Sequence, residues 1–130
     1  MAKTVLITGG SRGIGRAAAV LFANRGWNVA FSFVGNQQSA DETCALCERA
    51  GVTGNAFARK CDVRDEDSVI DFFRTAYERF GAIDGVVNNA GIVAPKSTLA
   101  DMDVDRMKNV FDTNVLGAYL VAREAARMLP

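Results

Sequence analysis

The residues best suited to chemistry in this 130-residue chain stand close to its start. Thr8-Gly9-Gly10-Ser11-Arg12-Gly13-Ile14-Gly15 follows an apolar run, Val5-Leu6-Ile7, and opens a helix-like run from Arg16 to Phe22. Strand, glycine turn and helix in that order is an arrangement that holds a pyrophosphate. Gly9 would let the chain turn sharply off the strand. Gly13 would let backbone N–H groups approach phosphate oxygens with no Cβ in the way, and Gly15 would let the helix pack close to the sheet. The first-turn N–H groups have no partner within the helix and point at the anion. The plainer reading is a loop that only needs positive φ, and the flanking strand and helix argue against it.

Three further stretches fall at comparable places. Asp62-Val63 follows a strand-like run, Asn88-Asn89-Ala90-Gly91 follows another, and Asn114-Val115-x-Gly117 lies within a long helical pattern. With Thr-Gly-x-x-x-Gly-x-Gly in front, their order along the chain resembles that of the short-chain dehydrogenase/reductase family, over essentially every residue. The general style of the glycine turn and the Asn36 region is most similar to 3-oxoacyl-carrier-protein reductases and glucose-dehydrogenase-like members. The resemblance implies hydride transfer between nicotinamide C4 and a small-molecule carbonyl or secondary alcohol. It places cofactor contacts at Gly9, Ser11, Arg12, Gly13, Ile14, Gly15, Asn36, Asp62, Val63, Asn88, Ala90 and Gly91. Asp62 and Val63 would meet the adenine, although Asp62 could instead only cap the turn that follows it. Ala90 and Gly91 would let ribose and nicotinamide pass close to backbone, and Asn88 could also tie neighbouring strands together. Asn114 matches the asparagine of the catalytic tetrad, which interrupts its helix and holds a water of the proton relay. Its plain reading is a satisfied core asparagine, since an unpaired buried amide costs roughly 1–3 kcal/mol.

The family's catalytic Ser and Tyr-x-x-x-Lys are implied to lie in a second half. The nearest match here is Tyr119-x-x-x-Arg123. An Arg keeps its charge to above pH ~12 and cannot relay protons as a titratable Lys can, so these two read as neighbours one turn apart on a helix. The expectation is one dinucleotide-binding domain over residues 1–130, the N-terminal half of a longer oxidoreductase and inactive alone. A non-catalytic nucleotide-binding module and a self-associating fragment are the alternatives.

Cofactor type turns on Arg12. A dinucleotide without a 2′-phosphate is usually held by an acid at the end of the second strand. Here that strand ends Ser32-Phe33-Val34-Gly35-Asn36, and the first acid in the chain is Asp41. Nothing there repels a 2′-phosphate, and Arg12 offers a planar bidentate donor for one. NADP(H) is therefore expected over NAD(H), the alternative being a solvent-facing Arg with relaxed choice.

Composition bounds the rest. Residues 1–40 carry Lys3, Arg12, Arg16 and Arg25 with no acid, a local excess of positive charge near the glycine turn within a chain of zero net charge. No global field favours nucleic acid or a membrane, and neither partner is expected. With no signal-peptide pattern and no apolar run near the ~20 residues that span a bilayer, the expected compartment is the cytoplasm. Three cysteines, Cys44, Cys47 and Cys61, suit a reducing compartment. Cys44-x-x-Cys47 could be a redox pair or half a metal site, but it sits in mid-helix with one other Cys and no His, so no metal is expected. The absence of His also removes imidazole bases and Ser-His-Asp catalysis.

Alternating strand-like and helix-like segments predict an α/β Rossmann-type doubly wound parallel sheet. Strands are expected at about 4–8, 28–33, 55–61 and 83–88, and helices at about 13–25, 40–50, 65–80 and, as one long helix, 104–128. Gly26 and Gly51 would close the first two helices, Gly26 in the position a left-handed cap prefers. Right-handed crossovers give strand order 3-2-1-4, with the ligand crevice at the carboxyl ends of the first and fourth strands. The unpaired edge of the fourth strand and the apolar last helix predict a homo-oligomer.

Overall fold

The computed structural model describes residues 2–130. Four strands, β1 (Thr4–Ile7), β2 (Asn28–Phe33), β3 (Ala56–Lys60) and β4 (Gly85–Val87), form one parallel sheet in the order β3-β2-β1-β4. The helices between them are α1 (Gly13–Asn24), α2 (Gln37–Ala50) and α3 (Glu66–Phe80). This is the Rossmann-type topology and the strand order that the sequence predicts.

Strand pleating explains why β1 and β2 are mostly apolar on both faces, with Thr4, Asn28 and Ser32 the polar exceptions. Val5 and Ile7, with Val29, Phe31 and Phe33, face α1 and α2 and pack on Ala19, Ala23, Ala40 and Cys47. Leu6 and Ala30 point the other way, into a core built from Val69, Phe72, Phe73 and Val121. A parallel sheet covered on both faces favours near-continuous apolar strands. Phe31 is fully buried, and a side chain of that size contributes about 1.5–3 kcal/mol by leaving water.

Element ends differ from expectation in three places. β2 spans the expected residues, while β1, β3 and β4 are shorter than expected by one or two residues at their ends. Helix α2 starts at Gln37 rather than near residue 40, because the Asn36 side chain accepts from the Ser39 N–H at 3.0 Å and caps it. The last expected helix is two, α4 (Val104–Phe111) and α5 (Gly117–Met128), joined by a π-helical turn, Asp112–Leu116, with Asn114 at its centre. Such turns insert a residue into the helical ladder and often mark functional sites. Gly117, which helix propensity disfavours, opens α5 because a Cβ there would stand 2.6 Å from Val63 Cγ2.

The helix-closing glycines work in two ways. Gly26 has φ +85°, the left-handed value expected of a cap. Gly51 has φ −129° and is needed for space, since its Cβ would lie 2.5 Å from the Ala23 carbonyl oxygen.

Candidate functional site

The carboxyl ends of all four strands open into one cleft of about 780 Å³, within the usual range of small-molecule sites. It lies where strand order reverses, between β1 and β4. Of the residues expected at the cofactor, Gly9, Ser11, Arg12, Gly13, Ile14, Asn36, Asp62, Val63, Ala90 and Gly91 line it. Gly15, Asn88 and Asn114 do not.

Gly9 leaves β1 at φ +72°, with its N–H donating to Ser32 Oγ at 3.2 Å, and the next N–H, of Gly10, donates to the Ser32 carbonyl at 2.9 Å. The end of β2 thus holds the start of the turn. Gly10 itself must be glycine, because a Cβ would lie 2.5 Å from Phe31 Cβ. Gly13 has φ +60°, and a Cβ on it would meet no atom within 4 Å, so this side of the turn is open to a ligand. Gly15 is buried beneath, where a Cβ would collide with the Gly9 carbonyl oxygen and stand 2.8 Å from Asn89 Nδ2. Its contribution is the close helix-to-sheet packing expected of it. The first turn of α1 contains no acid, leaving the helix N-terminus positive.

Arg12 caps α1 with extended backbone and an exposed side chain. Among the described residues its guanidinium has no hydrogen-bond partner, although it lines the cleft. Asn36 uses its Oδ1 for the α2 cap, while its Nδ2 has no partner among the described residues. No acid stands on the cleft wall between Ser32 and Ser39.

Asp62 is more constrained than expected. Its Oδ1 accepts from the Arg64 N–H and Nε, each at 3.0 Å, and its Oδ2 accepts from Arg64 Nε at 3.2 Å and Nη2 at 2.7 Å. The guanidinium hydrogen bonds hold the Asp62 carboxyl below its ordinary range. With about four acceptor sites on a carboxylate, an incoming amine must share one or displace an arm of Arg64. Arg64 Nη1 also donates to Asn109 Oδ1 at 2.7 Å, joining this end of the cleft to α4. The Val63 N–H has no partner among the described residues, and its side chain packs into the core against Gly117.

At the β4 end, the expected roles within Asn88-Asn89-Ala90-Gly91 are exchanged. Asn88 does not tie strands together; its Nδ2 donates to the Ala118 carbonyl at 2.9 Å and anchors β4 to α5. Asn89 does the tying, its Nδ2 donating to the Thr8 and Gly9 carbonyls at 3.1 and 3.2 Å. Buried Thr8 completes the joint, its Oγ1 accepting from the Asn89 and Ala90 N–H groups at 3.0 and 2.9 Å. Thr8, Asn89, Arg64, Asn109 and Ser32 were not identified from sequence. The detectable signal was Thr8, a polar residue at the buried end of an apolar strand.

Asn114 is exposed, not buried as its apolar neighbours suggested. Its amide is nonetheless paired at both ends, Oδ1 accepting from the Ile92 N–H at 2.8 Å and Nδ2 donating to the Ile92 carbonyl at 2.9 Å. The side chain thus mimics a strand neighbour and fixes the segment after Gly91 to the π-helical turn.

Elsewhere, burial first and then the neighbouring Cys44 and Glu48 push the Cys47 thiol up to about 11. Burial, then Asp41 and Glu48, raises Cys44 as well, so neither thiol is poised to form a nucleophilic thiolate at neutral pH. Among the described residues no group of three His, Cys, Asp or Glu side chains could hold a metal ion, and no helix is long and apolar enough to cross a membrane.

The residues fit a dinucleotide: an open glycine turn at a helix N-terminus, a free Arg12 and an unpartnered Val63 N–H line one cleft. Comparisons with known proteins agree with the architecture. The chain is 41% identical over 127 residues to an L-rhamnose 1-dehydrogenase (NAD(P)(+)) of a Sphingomonas species, covering 98% of this chain and 49% of that protein. It is 35% identical over 125 residues to the 3-oxoacyl-[acyl-carrier-protein] reductase FabG of Staphylococcus aureus, covering 96% and 50%. The crystal structure of levodione reductase superposes with a TM-score of 0.92 at 29% identity, over 97% of this chain and 48% of that one. The chain spans about half the length of the curated relatives it matches. The short chain dehydrogenase family model matches residues 3–130, and with the glycine turn, the sheet order and the cleft in agreement, the chain belongs to that family.

Proposed function

We propose that the cleft binds a nicotinamide dinucleotide, NADP(H) in preference to NAD(H), as the cofactor half of an oxidoreductase acting on a small carbonyl compound or secondary alcohol. The observation that carries the preference is the exposed, unpartnered Arg12 beside an acid-free wall that presents Asn36. When bound, the cofactor supplies a hydride donor or acceptor at nicotinamide C4. The chain's own residues bind and orient it. N–H groups of the glycine turn and the α1 N-terminus, with Ser11 and Ile14 beside them, hold the pyrophosphate. Arg12 and Asn36 Nδ2 hold a 2′-phosphate, and Asp62 with the Val63 N–H holds the adenine edge. Ala90 and Gly91, kept in place through Thr8 and Asn89, leave room for ribose and nicotinamide. Asn88 supports that segment from α5, and Asn114 positions the end of it through Ile92. This reading puts the molecule among enzymes of the cytoplasm that assemble from identical subunits.

A second reading, a nucleotide-binding module without redox chemistry, uses the same cleft and differs in whether a bound cofactor is turned over. On either reading the 130-residue chain alone shows no dehydrogenase turnover. Fluorescence titration with NADPH and NADH tests the proposal. NADPH is expected to bind more tightly; equal affinities overturn the NADP(H) preference, and absence of binding by both overturns the nucleotide site.

A further inference from the structure

The crest of the glycine turn has to keep its shape where nothing packs on it, since the space beyond Gly13 is empty to 4 Å. One side chain reaches back to it. Arg16 Nη2 donates to the Ser11 carbonyl at 2.6 Å and to the Ser39 carbonyl at 2.9 Å, and Nε donates to Thr43 Oγ1 at 2.9 Å. The Glu42 carboxylate stands 3.4 Å from the same Nη2. Ser11 and Ser39 both line the cleft, one on the glycine turn and one in the first turn of α2, and Thr43 is buried in α2 behind them. The Arg16 side chain is 27% exposed, so solvent takes little of its hydrogen-bonding capacity.

Local helix energetics do not account for an arginine here. A cation near a helix N-terminus opposes the macrodipole and is unfavourable there. What the position offers instead is reach to three oxygens on two cleft-forming elements, which a planar guanidinium can serve together and a point-charge ammonium cannot. The Ser11–Arg12 peptide is trans. With its carbonyl drawn toward α2, its N–H points away from α2.

We infer that Arg16 is a positioning residue. By holding the Ser11 carbonyl against α2 it fixes the glycine turn in the shape that presents its N–H groups and Arg12 to a diphosphate, without touching that ligand. This rests on the proposal that the cleft binds a dinucleotide. It predicts an effect confined to the phosphate end of the ligand, which a merely structural role would not produce.

The test is an NMR titration of the full chain with ADP and, separately, with adenosine. In Arg16→Lys the affinity for ADP falls about tenfold while that for adenosine stays within about twofold. Thr43→Val leaves the cleft lining intact but removes the Nε anchor, and weakens ADP in the same direction by about threefold. If Arg16→Lys does not fold, Thr43→Val decides alone. Equal losses for ADP and adenosine, or an unchanged ADP affinity, overturn the inference while the wild-type titration still supports the nucleotide site. A wild-type chain that binds neither probe overturns the nucleotide proposal itself, and this inference with it.

Discussion

At the scale of single residues, side chains differ in whether they are occupied by the protein or left to a ligand. Arg16 and Arg64 each donate to several protein oxygens, whereas the Arg12 guanidinium, in the cleft lining, has no partner among the described residues. Arg12→Ala is therefore expected to remove a ligand contact without disturbing the fold. It should weaken NADPH by roughly 1.5–3 kcal/mol, the value of a charge-assisted bond to phosphate, and leave NADH nearly unchanged. Calorimetric titration of both cofactors checks this, and an equal loss for both would mean that Arg12 serves the pyrophosphate. Arg12 was legible in the sequence because it lies inside the motif. Arg64 was not, because its link to Asn109 of α4 spans 45 residues of chain and exists only in the folded molecule.

At the scale of elements, close approach and ion pairing set how strands and helices meet. Helix α1 lies so near the sheet that Gly15→Ala would drive a Cβ into backbone oxygen and the Asn89 amide. Forced overpacking of this kind costs about 1–3 kcal/mol. Urea denaturation should show that loss, whereas a change below ~0.5 kcal/mol would place α1 farther from the glycine turn than described here. Helix α3 is seated by its buried Val69, Phe72, Phe73 and Ala76, and ion pairs at its rim add to that packing. Asp71 accepts from Arg59 of β3 at 2.9 and 3.2 Å, and Glu66 pairs with Arg123 of α5. Hydrogen bonds from Arg59 lower the Asp71 carboxyl, and those from Arg123 lower Glu66. A lowered folded-state value means stability fully present above the unfolded carboxylate range and lost as pH falls through the folded value. Thermal melts should therefore find Asp71→Asn less stable than wild type at pH ~6, by about 1 kcal/mol or less for so exposed a pair. The gap should close as pH falls below the lowered value; a gap constant down to pH ~2 would remove ionisation as its cause.

At the scale of the whole molecule, the sheet has an open edge at β4, and the apolar surface beside the π-helical turn is not covered. Phe111 is 63% and Tyr119 73% exposed, with Val115 and Leu116 between them on the same continuous stretch. An unpaired edge is a template for association, and an apolar surface of this kind is most simply buried by a second copy with two-fold symmetry. Light scattering across a dilution series should show self-association at tens of micromolar. A monodisperse monomer there would mean that this surface stays exposed in water at no net cost. Exposure also decides how Tyr119 and Arg123 are understood. Arg123 pairs with Glu66 of α3 and with Glu124, so it is Arg123 that links α5 to α3 while Tyr119 stays exposed.

The sequence by itself determined the sheet, its order and the location of the cleft. Pattern and topology are local or chiral rules: continuous apolar runs for two-sided strands, and glycines at positive φ where the chain must turn. It also determined Gly9, Gly13 and Gly15, whose roles follow from what a missing Cβ permits. Only the tertiary structure decided which polar side chains are free to meet a ligand. Asn88 and Asn89 are adjacent and chemically identical, yet past the end of β4 one reaches α5 and the other the β1 turn. Likewise Asn114 pairs with Ile92 across 22 residues, a contact that no local spacing encodes, whereas the Asp62 cap on the Arg64 N–H is the local turn its sequence position allows. Hydrogen-bond partners are set by where the packed elements bring their ends, and that is fixed only once both cores have closed.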